Sequence, residues 1–392
     1  MAFNIMPVSA KNIIFYSLQL RARVLFCKLL QSFAKPVPML PLCLLLIVDF
    51  SNHAWASSVD QSVAVFSTYP SEDLLEACIE QRETYNLEPD FVSDNTLCQE
   101  DAISPENFIK ELSETGKFNN LLPYAEGNDY ELLIANVGAA PNVHKQNAKQ
   151  FAEFTLQWRG IEIDSSAFDS GIETSNSNVI EKQSTENVVR LLVSRWLEHV
   201  KHKQIFTSEF LFAALEASNY NLALKVPDAV GEFTKLDTQL YSDPFSGAIT
   251  RYIHSNFEDA LVDVTVYPFL AQLSSDESEL LPQELESDFK KASATAELQH
   301  LILSQVSPAS PYTVNDKLSG WRLGLSANSE TSPTIFATTY VFRQQDKIVK
   351  VSTTFPPDFS DTIVNQLIVK VEVPQESEMM KKVRTLLLEG QR

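Results

Sequence analysis

Apolar and polar side chains alternate most plainly along residues 151–163, FAEFTLQWRGIEI. Ala152, Phe154, Leu156 and Trp158 interleave with Glu153, Thr155, Gln157 and Arg159, the two-residue period of a strand with one buried face. Beyond Gly160 the apolar positions move to Ile161 and Ile163, so the parity flips. A bulge at Arg159-Gly160 is expected to carry one strand through the flip, glycine permitting the backbone bend. The competing functional reading makes Trp158 and Arg159 a ligand platform. Shorter strands are expected at 63–66 (VAVF) and 130–137 (YELLIANV). Helices are expected over 71–84 and 104–115, each opened by a serine beside acidic residues. Another is expected over 185–203, where Val189, Leu192, Val193, Trp196 and Val200 share one face. The polar, Ser/Asn-rich segment 169–184 reads as a surface loop.

In the second half the pattern predicts strands at 247–254, 261–267 and 320–327. A hairpin follows, with arms 334–342 and 347–355 turning at Gln344-Gln345-Asp346; Phe336, Tyr340, Val349, Val351 and Phe355 are its expected anchors. Between early and late strands a long helix is expected from Pro282 to about Val306. Proline suits its first turn, and Glu284, Glu286 and Asp288 suit the positive end of its dipole. Helices at 360–369 and 376–388 end the chain.

The amino-terminal region reads differently. Residues 40–48, LPLCLLLIV, form an apolar run far shorter than the roughly 20 residues a spanning helix needs. Upstream lie Lys11, Arg21, Arg23, Lys28 and Lys35 with no acidic residue; downstream, Ala54-Trp55-Ala56 has the small-x-small form of a signal-peptidase site. Residues 1–56 are therefore expected to be a signal peptide cut between Ala56 and Ser57, delivering a periplasmic protein. Retention as an uncleaved anchor is the alternative route to a membrane. Losing five basic residues and Asp49 takes the net charge from −20 to −24, which disfavours nucleic acid and anionic lipid. Cys27 and Cys43 leave with the leader. Cys78 and Cys98, in an oxidising compartment, are expected to pair.

The chain beyond the leader is long for one core, so two domains are expected. They are an amino-terminal α/β domain at 57–206 with the disulfide, a connector at 207–233, a second α/β domain at 234–375 and a closing helix at 376–392. The class is α+β, each domain a mainly antiparallel sheet packed with helices.

The stretches LYSDPFSGAITRYIH (240–254), VDVTVYPF (262–269) and TTYVFRQQDKIVKVSTTFP (338–356), with the order of elements around them, resemble the PsbP-like family. That resemblance implies an α/β/α sandwich over about 140 residues of the second half. FIKELSETGKFNNLLPYAEGNDYELLIANV (108–137) is similar to periplasmic auxiliary domains of envelope and lipid-transport proteins. Folds of these kinds host scaffolding, ligand-binding and assembly roles, so outline alone assigns no activity.

Few residues point to catalysis. Only ten glycines occur, with no GxGxxG, Walker-type loop or GxSxG elbow. His199 and His202 are neighbours on one helix, but Lys201 and Lys203 oppose a cation and further ligands are missing; a solvated helix end is the simpler reading. The acidic run 274–286 lacks the spacing and turn glycine of a calcium loop. His254 and Asp263, on adjacent expected strands, make a conceivable acid–base pair without a nucleophile. The expectation is a non-enzymatic periplasmic protein with no cofactor and no metal, serving envelope assembly or binding of an envelope protein or a small apolar ligand. The rivals are a lipid-binding accessory of an envelope transport system and a metal-dependent hydrolase using His199, His202 or His254.

Overall fold

The computed structural model describes residues 59–84, 98–138, 149–171, 185–329 and 333–389. The expected leader 1–56 and its cleavage point between Ala56 and Ser57 lie outside them, as does most of the segment 169–184. The class is α+β, built on two sheets.

The first sheet uses β1 (Val59–Ser67), α1 (Glu72–Thr84), β2 (Gln99–Glu100), α2 (Pro105–Glu114), β3 (Phe118–Pro123), β4 (Tyr130–Gly138), β5 (Gln150–Trp158), β6 (Ile161–Asp169) and α3 (Thr185–Lys203). Its order is β3-β1-β4-β5-β6, with β2 also on β4. The sheet is mixed: β1 runs parallel to β3 and β4, and the remaining pairs are antiparallel. Alternation along β4 and β5 sends Leu132, Ile134, Phe154 and Leu156 to one face, where α2 and α3 cover them. Trp196 of α3 lies nearly parallel to Phe154 at 5.2 Å and to Phe118 at 6.1 Å. On the opposite face α1 covers only Ala135, Val137 and Phe151, through Leu74 and Cys78. Cys78 is bonded to Cys98 with Cα atoms 6.0 Å apart, which ties the helix to the start of β2.

One strand expected over 151–163 is two. Arg159 (φ 49°) and Gly160 (φ 79°) both occupy the left-handed region, as the central pair of a type I′ turn must, and Trp158 faces Ile161 across the hairpin. The parity flip is a chain reversal; the one irregularity in this pairing falls between Leu156 and Gln157. A non-glycine residue at positive φ hid the turn. Arg159 is held there by its amide on the Asp129 carbonyl at 2.8 Å and its guanidinium on Asp129 at 2.8 Å.

α4 (Ser208–Ala214) and α5 (Tyr220–Ala223) lead to the second sheet, whose strands are β7 (Ala229–Val230), β8 (Phe233–Leu240), β9 (Ala248–His254), β10 (Leu261–Pro268), β11 (Ile302–Val314), β12 (Leu318–Asn328), β13 (Ile335–Gln344) and β14 (Lys347–Thr353). The order β11-β12-β13-β14-β10-β9-β8-β7 is two antiparallel meanders joined where β10 pairs β14. Helices lie on both faces. α6 (Glu277–Leu298) covers Leu323, Leu325, Val341 and Ile348. α7 (Pro357–Leu367), with the 3-10 turn Ile368–Lys370, covers Val264, Tyr340, Val349 and Val351. Of the expected hairpin anchors, Tyr340, Val349 and Val351 are fully buried, whereas Phe336 and Phe355 are half-buried.

The long helix begins earlier and ends sooner than 282–306. Asp276 caps it, accepting from the Ser278 amide at 2.8 Å, so Pro282 stands in its second turn. Glu284 and Asp288 therefore serve the sheet rather than the dipole: Tyr267 donates to Glu284 at 2.6 Å and Lys350 reaches Asp288 at 2.8 Å. The helix ends in a Schellman arrangement, with Leu301 N–H on the Ala296 carbonyl, His300 N–H on Glu297, and His300 at φ 56°. Glycine usually marks that position; here histidine fills it, and residues 302–306 belong to β11.

The two sheets are tied together. Leu211 and Leu215 join the first core while Phe212, Tyr220 and Val230 join the second. The last helix, α8 (Glu378–Glu389), places Met379 and Met380 in the first core. From the same helix Arg384 pairs with Glu376 and donates to the carbonyl of Phe269 at 2.7 Å, in the second half. Arg159 also meets Asp243 across the halves at 3.1 Å.

Candidate functional site

The polar positions of β5 that alternate with its core residues end up on a face that α1 covers only in part. Glu153, Thr155 and Gln157 of β5 and Ser165 and Ala167 of β6 floor an open groove of about 760 Å³. Asp73, Leu74 and Ala77 of α1 wall one side, and Tyr69, 87% exposed, stands at the mouth. The floor is organised: Thr155 and Ser165 hydroxyls are 2.8 Å apart, Ser165 donates to Glu153 at 3.3 Å, and Glu153 also accepts from the Ser71 amide at 3.3 Å. Ser71 in turn accepts from the Leu74 amide at 3.2 Å and starts α1, so the wall is anchored at its first turn as well as through Cys78.

Among the described residues the lining carries Asp73, Glu153, Glu162 and Asp169 and no basic side chain. Asp169 is compensated from outside, by Lys149 at 3.0 Å and Arg195 at 2.8 Å. Burial pushes its carboxyl up, but the hydrogen bonds from Lys149, the Gly171 amide and Arg195 outweigh burial and hold it below the ordinary carboxylate value. A cleft between α2 and α3, about 60 Å³ and lined by Lys110, Glu111, Glu114 and Arg190, is a set of surface ion pairs with room for little besides water.

The residues singled out for chemistry do not converge. His199 is not on a wet helix end. Its Nε2 lies 2.9 Å from both Ser166 Oγ and Asp164 Oδ2, and Lys203 takes the other oxygen of the buried Asp164 at 2.9 Å. A Ser-His-Asp relay uses the two ring nitrogens for its two partners; here both partners share one nitrogen, which suits a structural clamp of α3 onto β6. His202 is exposed. His254 is on the second sheet and bonds Glu232 at 3.0 Å, not Asp263. Asp263 lies opposite Arg251, which holds it with bonds of 2.8 and 2.7 Å. Trp158 is 3% exposed in the first core with the Arg159 guanidinium 4.3 Å from its ring centre, so this pair builds the hairpin tip and the contact to Asp243 rather than a ligand platform. Among the described residues no three His, Cys, Asp or Glu side chains stand close enough to hold a metal ion. No described helix is long and apolar enough to cross a membrane.

Two buried polar sets went unread in the sequence. Lys347, wholly buried, sits 2.6 Å from Asp346 at the β13–β14 turn; burial holds its ammonium below the ordinary lysine value despite that partner. Tyr340 donates to Asp361 at 2.6 Å beside Arg322, which pairs with Asp361 at 2.8 Å, and burial drives the Tyr340 hydroxyl far up. Both fasten a turn or helix to the sheet. The groove was legible in part: Glu153, Thr155 and Gln157 already stood on the polar side of the alternation.

No protein-family model and no curated protein matches the chain. Among solved structures it is similar to the solution structure of cyanobacterial PsbP (CyanoP) from Synechocystis sp. PCC 6803, at 11% identity over 38% of this chain and 92% of that one, with a TM-score of 0.27. It is also similar to a crystal structure from Bacteroides thetaiotaomicron VPI-5482, at 10% identity over 40% of this chain and 48% of that one, with a TM-score of 0.24. At such scores neither neighbour bears on function.

Proposed function

We propose that this is an exported, non-enzymatic binding protein of the periplasm, serving envelope assembly through a partner seated in the groove of the first sheet. The carrying observation is that groove: a shaped face of mixed polar and apolar groups that the described residues leave open beside a helix pinned by Cys78–Cys98. A protein that only needed a folded core would gain by covering that face or by leaving it flat. The disulfide suits an oxidising compartment, and it accords with the leader expected upstream. The groove is open and wide, and its lining mixes hydroxyl, amide and carboxylate groups with Tyr69, Leu74, Leu133, Phe151 and Phe168, which suits a segment of a protein partner better than a small apolar ligand, since pockets for the latter are concave and enclose it.

The test is a photo-crosslinking residue at Gln157, on the groove floor, set against one at Gln239 on the second sheet, in cells. One defined envelope protein captured at Gln157 and absent at Gln239 supports the reading. Equal capture at both positions, or none at either, removes it. Recovery of the protein with its leader intact in the inner membrane would remove the periplasmic part.

A further inference from the structure

We infer that the occupant of the groove is an extended, cationic polypeptide segment that adds itself as a strand to the outer edge of β6. This rests on reading the groove as a partner site and names the partner's chemistry.

Sheet edges invite pairing with other chains, and folded proteins usually blunt them. The second sheet does so at both ends. β11 carries Pro308 and Pro311 and two irregularities in register; at the other end β7 is only two residues long, and β8 beyond it carries Lys235 and a register shift between Lys235 and Asp237. In the first sheet β3 is short and ends at Pro123. β6 differs. It is nine residues long, has no proline and no lysine, and no described strand pairs with its outer side.

Register shows which backbone groups face outward there. Ser170 N–H bonds the Gln150 carbonyl at 2.7 Å, so residues opposite even-numbered positions of β5 turn their backbone groups inward. Ser165, Ala167 and Asp169 therefore turn theirs outward. The Asp169 carbonyl is taken by Arg195 and the Ser165 carbonyl by the Ser166 hydroxyl at 2.8 Å. Among the described residues nothing takes the amides of Ser165 and Ala167 or the Ala167 carbonyl, at two residues that are exposed and whose side chains line the groove. A strand laid along this edge would gain main-chain hydrogen bonds and send every second side chain over the groove.

Charge selects the kind of segment. Asp73, Glu153 and Glu162 face the groove, and among the described residues its lining holds no basic side chain. The chain as a whole carries −20. Lysines or arginines at alternate positions of the added strand would meet this field, and acidic segments would be repelled.

The experiment uses the full chain and two short peptides, one alternating Lys with Thr and one alternating Glu with Thr. Amide hydrogen exchange is read residue by residue. The Lys peptide should slow exchange at Ser165 and Ala167 by about tenfold or more, less so at high salt, and the Glu peptide should leave both unchanged. Ala167→Pro removes the outward amide at an edge position where proline is tolerated, and should abolish the effect while the protein still melts cooperatively. Glu162→Lys, at an exposed site, should weaken the Lys peptide without touching the edge backbone. If the Lys peptide binds with no protection at Ser165 and Ala167, if both peptides bind alike, or if neither binds, strand addition is overturned. Specific crosslinking at Gln157 alongside any of those results would leave the groove a partner site and remove only its cationic-strand occupant.

Discussion

The second sheet carries a helix on each face, α6 on one and α7 on the other, and its long edge strand is broken by proline. The first sheet is closed on one face by α2 and α3, while α1 covers less than the whole of the other and β6 lies unpaired at the rim among the described strands. Both keep their apolar residues dry. They differ in what is left over. Where helices cover both faces the remaining polar groups, such as Lys347 with Asp346 and Tyr340 with Asp361, are turned inward as fasteners. Where a face stays open, its polar residues form a floor with a defined hydrogen-bond order and a single sign of charge. Binding chemistry is therefore sought on the less finished sheet.

The largest expected effect separates the halves physically. A fragment of residues 234–392 begins inside the second sheet and lacks Phe212, Tyr220, Val230 and Phe233 of its core. It should show no cooperative melting by calorimetry, whereas 207–392 should melt as a unit. Cooperative melting of the shorter piece would show that the connector is dispensable to the second core. Next come core truncations, which should hurt both sheets. Trp196→Ala, stripping the ring from between Phe154 and Phe118, should cost about 3–5 kcal/mol in denaturant titration, and Val351→Ala about 1–4 kcal/mol.

The disulfide should matter to the first sheet alone. Cys78→Ala should lower stability by roughly 3 kcal/mol, the chain-entropy figure for a loop of this size, and reductant should bring the wild type to the same level. A smaller effect is expected from acid. Because the folded Asp169 carboxyl lies below its ordinary value of 3.8, its contribution is complete above that pH and is lost as pH falls through the lower folded value. Asp169→Asn should flatten that acid limb; an unchanged limb would place the sensitivity elsewhere. Smallest of all, Gln157→Ala on the groove floor should move stability by no more than about 0.5 kcal/mol, so that any loss of partner capture reports the surface and not the fold.

Much of the fold could be read before the structure. The apolar stripe of Val189, Leu192, Val193, Trp196 and Val200 is the buried face of α3, and the alternation in β4, β9, β10 and β14 gave their positions within a residue or two. The misses have a common cause. Arg159 at the hairpin tip and His300 at the end of α6 both hold positive φ without being glycine, so neither chain reversal announced itself. β8 is a separate case: with Thr234 and Gln239 exposed along it, it lacks a clean two-residue pattern, and no strand was expected over 234–240 at the start of the second domain. The candidate site was half visible, as the polar side of 153–157.

The sequence by itself pointed to which residues must be buried, where helix and strand periods lie, and Cys78 and Cys98 as a pair, because these follow from local period, composition and spacing. Only the tertiary structure decided that His199 leans on Asp164, that His254 belongs to Glu232, and that Glu284 and Asp288 answer to Tyr267 and Lys350. It alone also decided that α1 covers β5 only at its Phe151 end, and that β6 lies outermost among the described strands. The reason is physical: period says which way a side chain points within its own element, whereas partners, coverage and edges depend on what other elements arrive there from elsewhere in the chain.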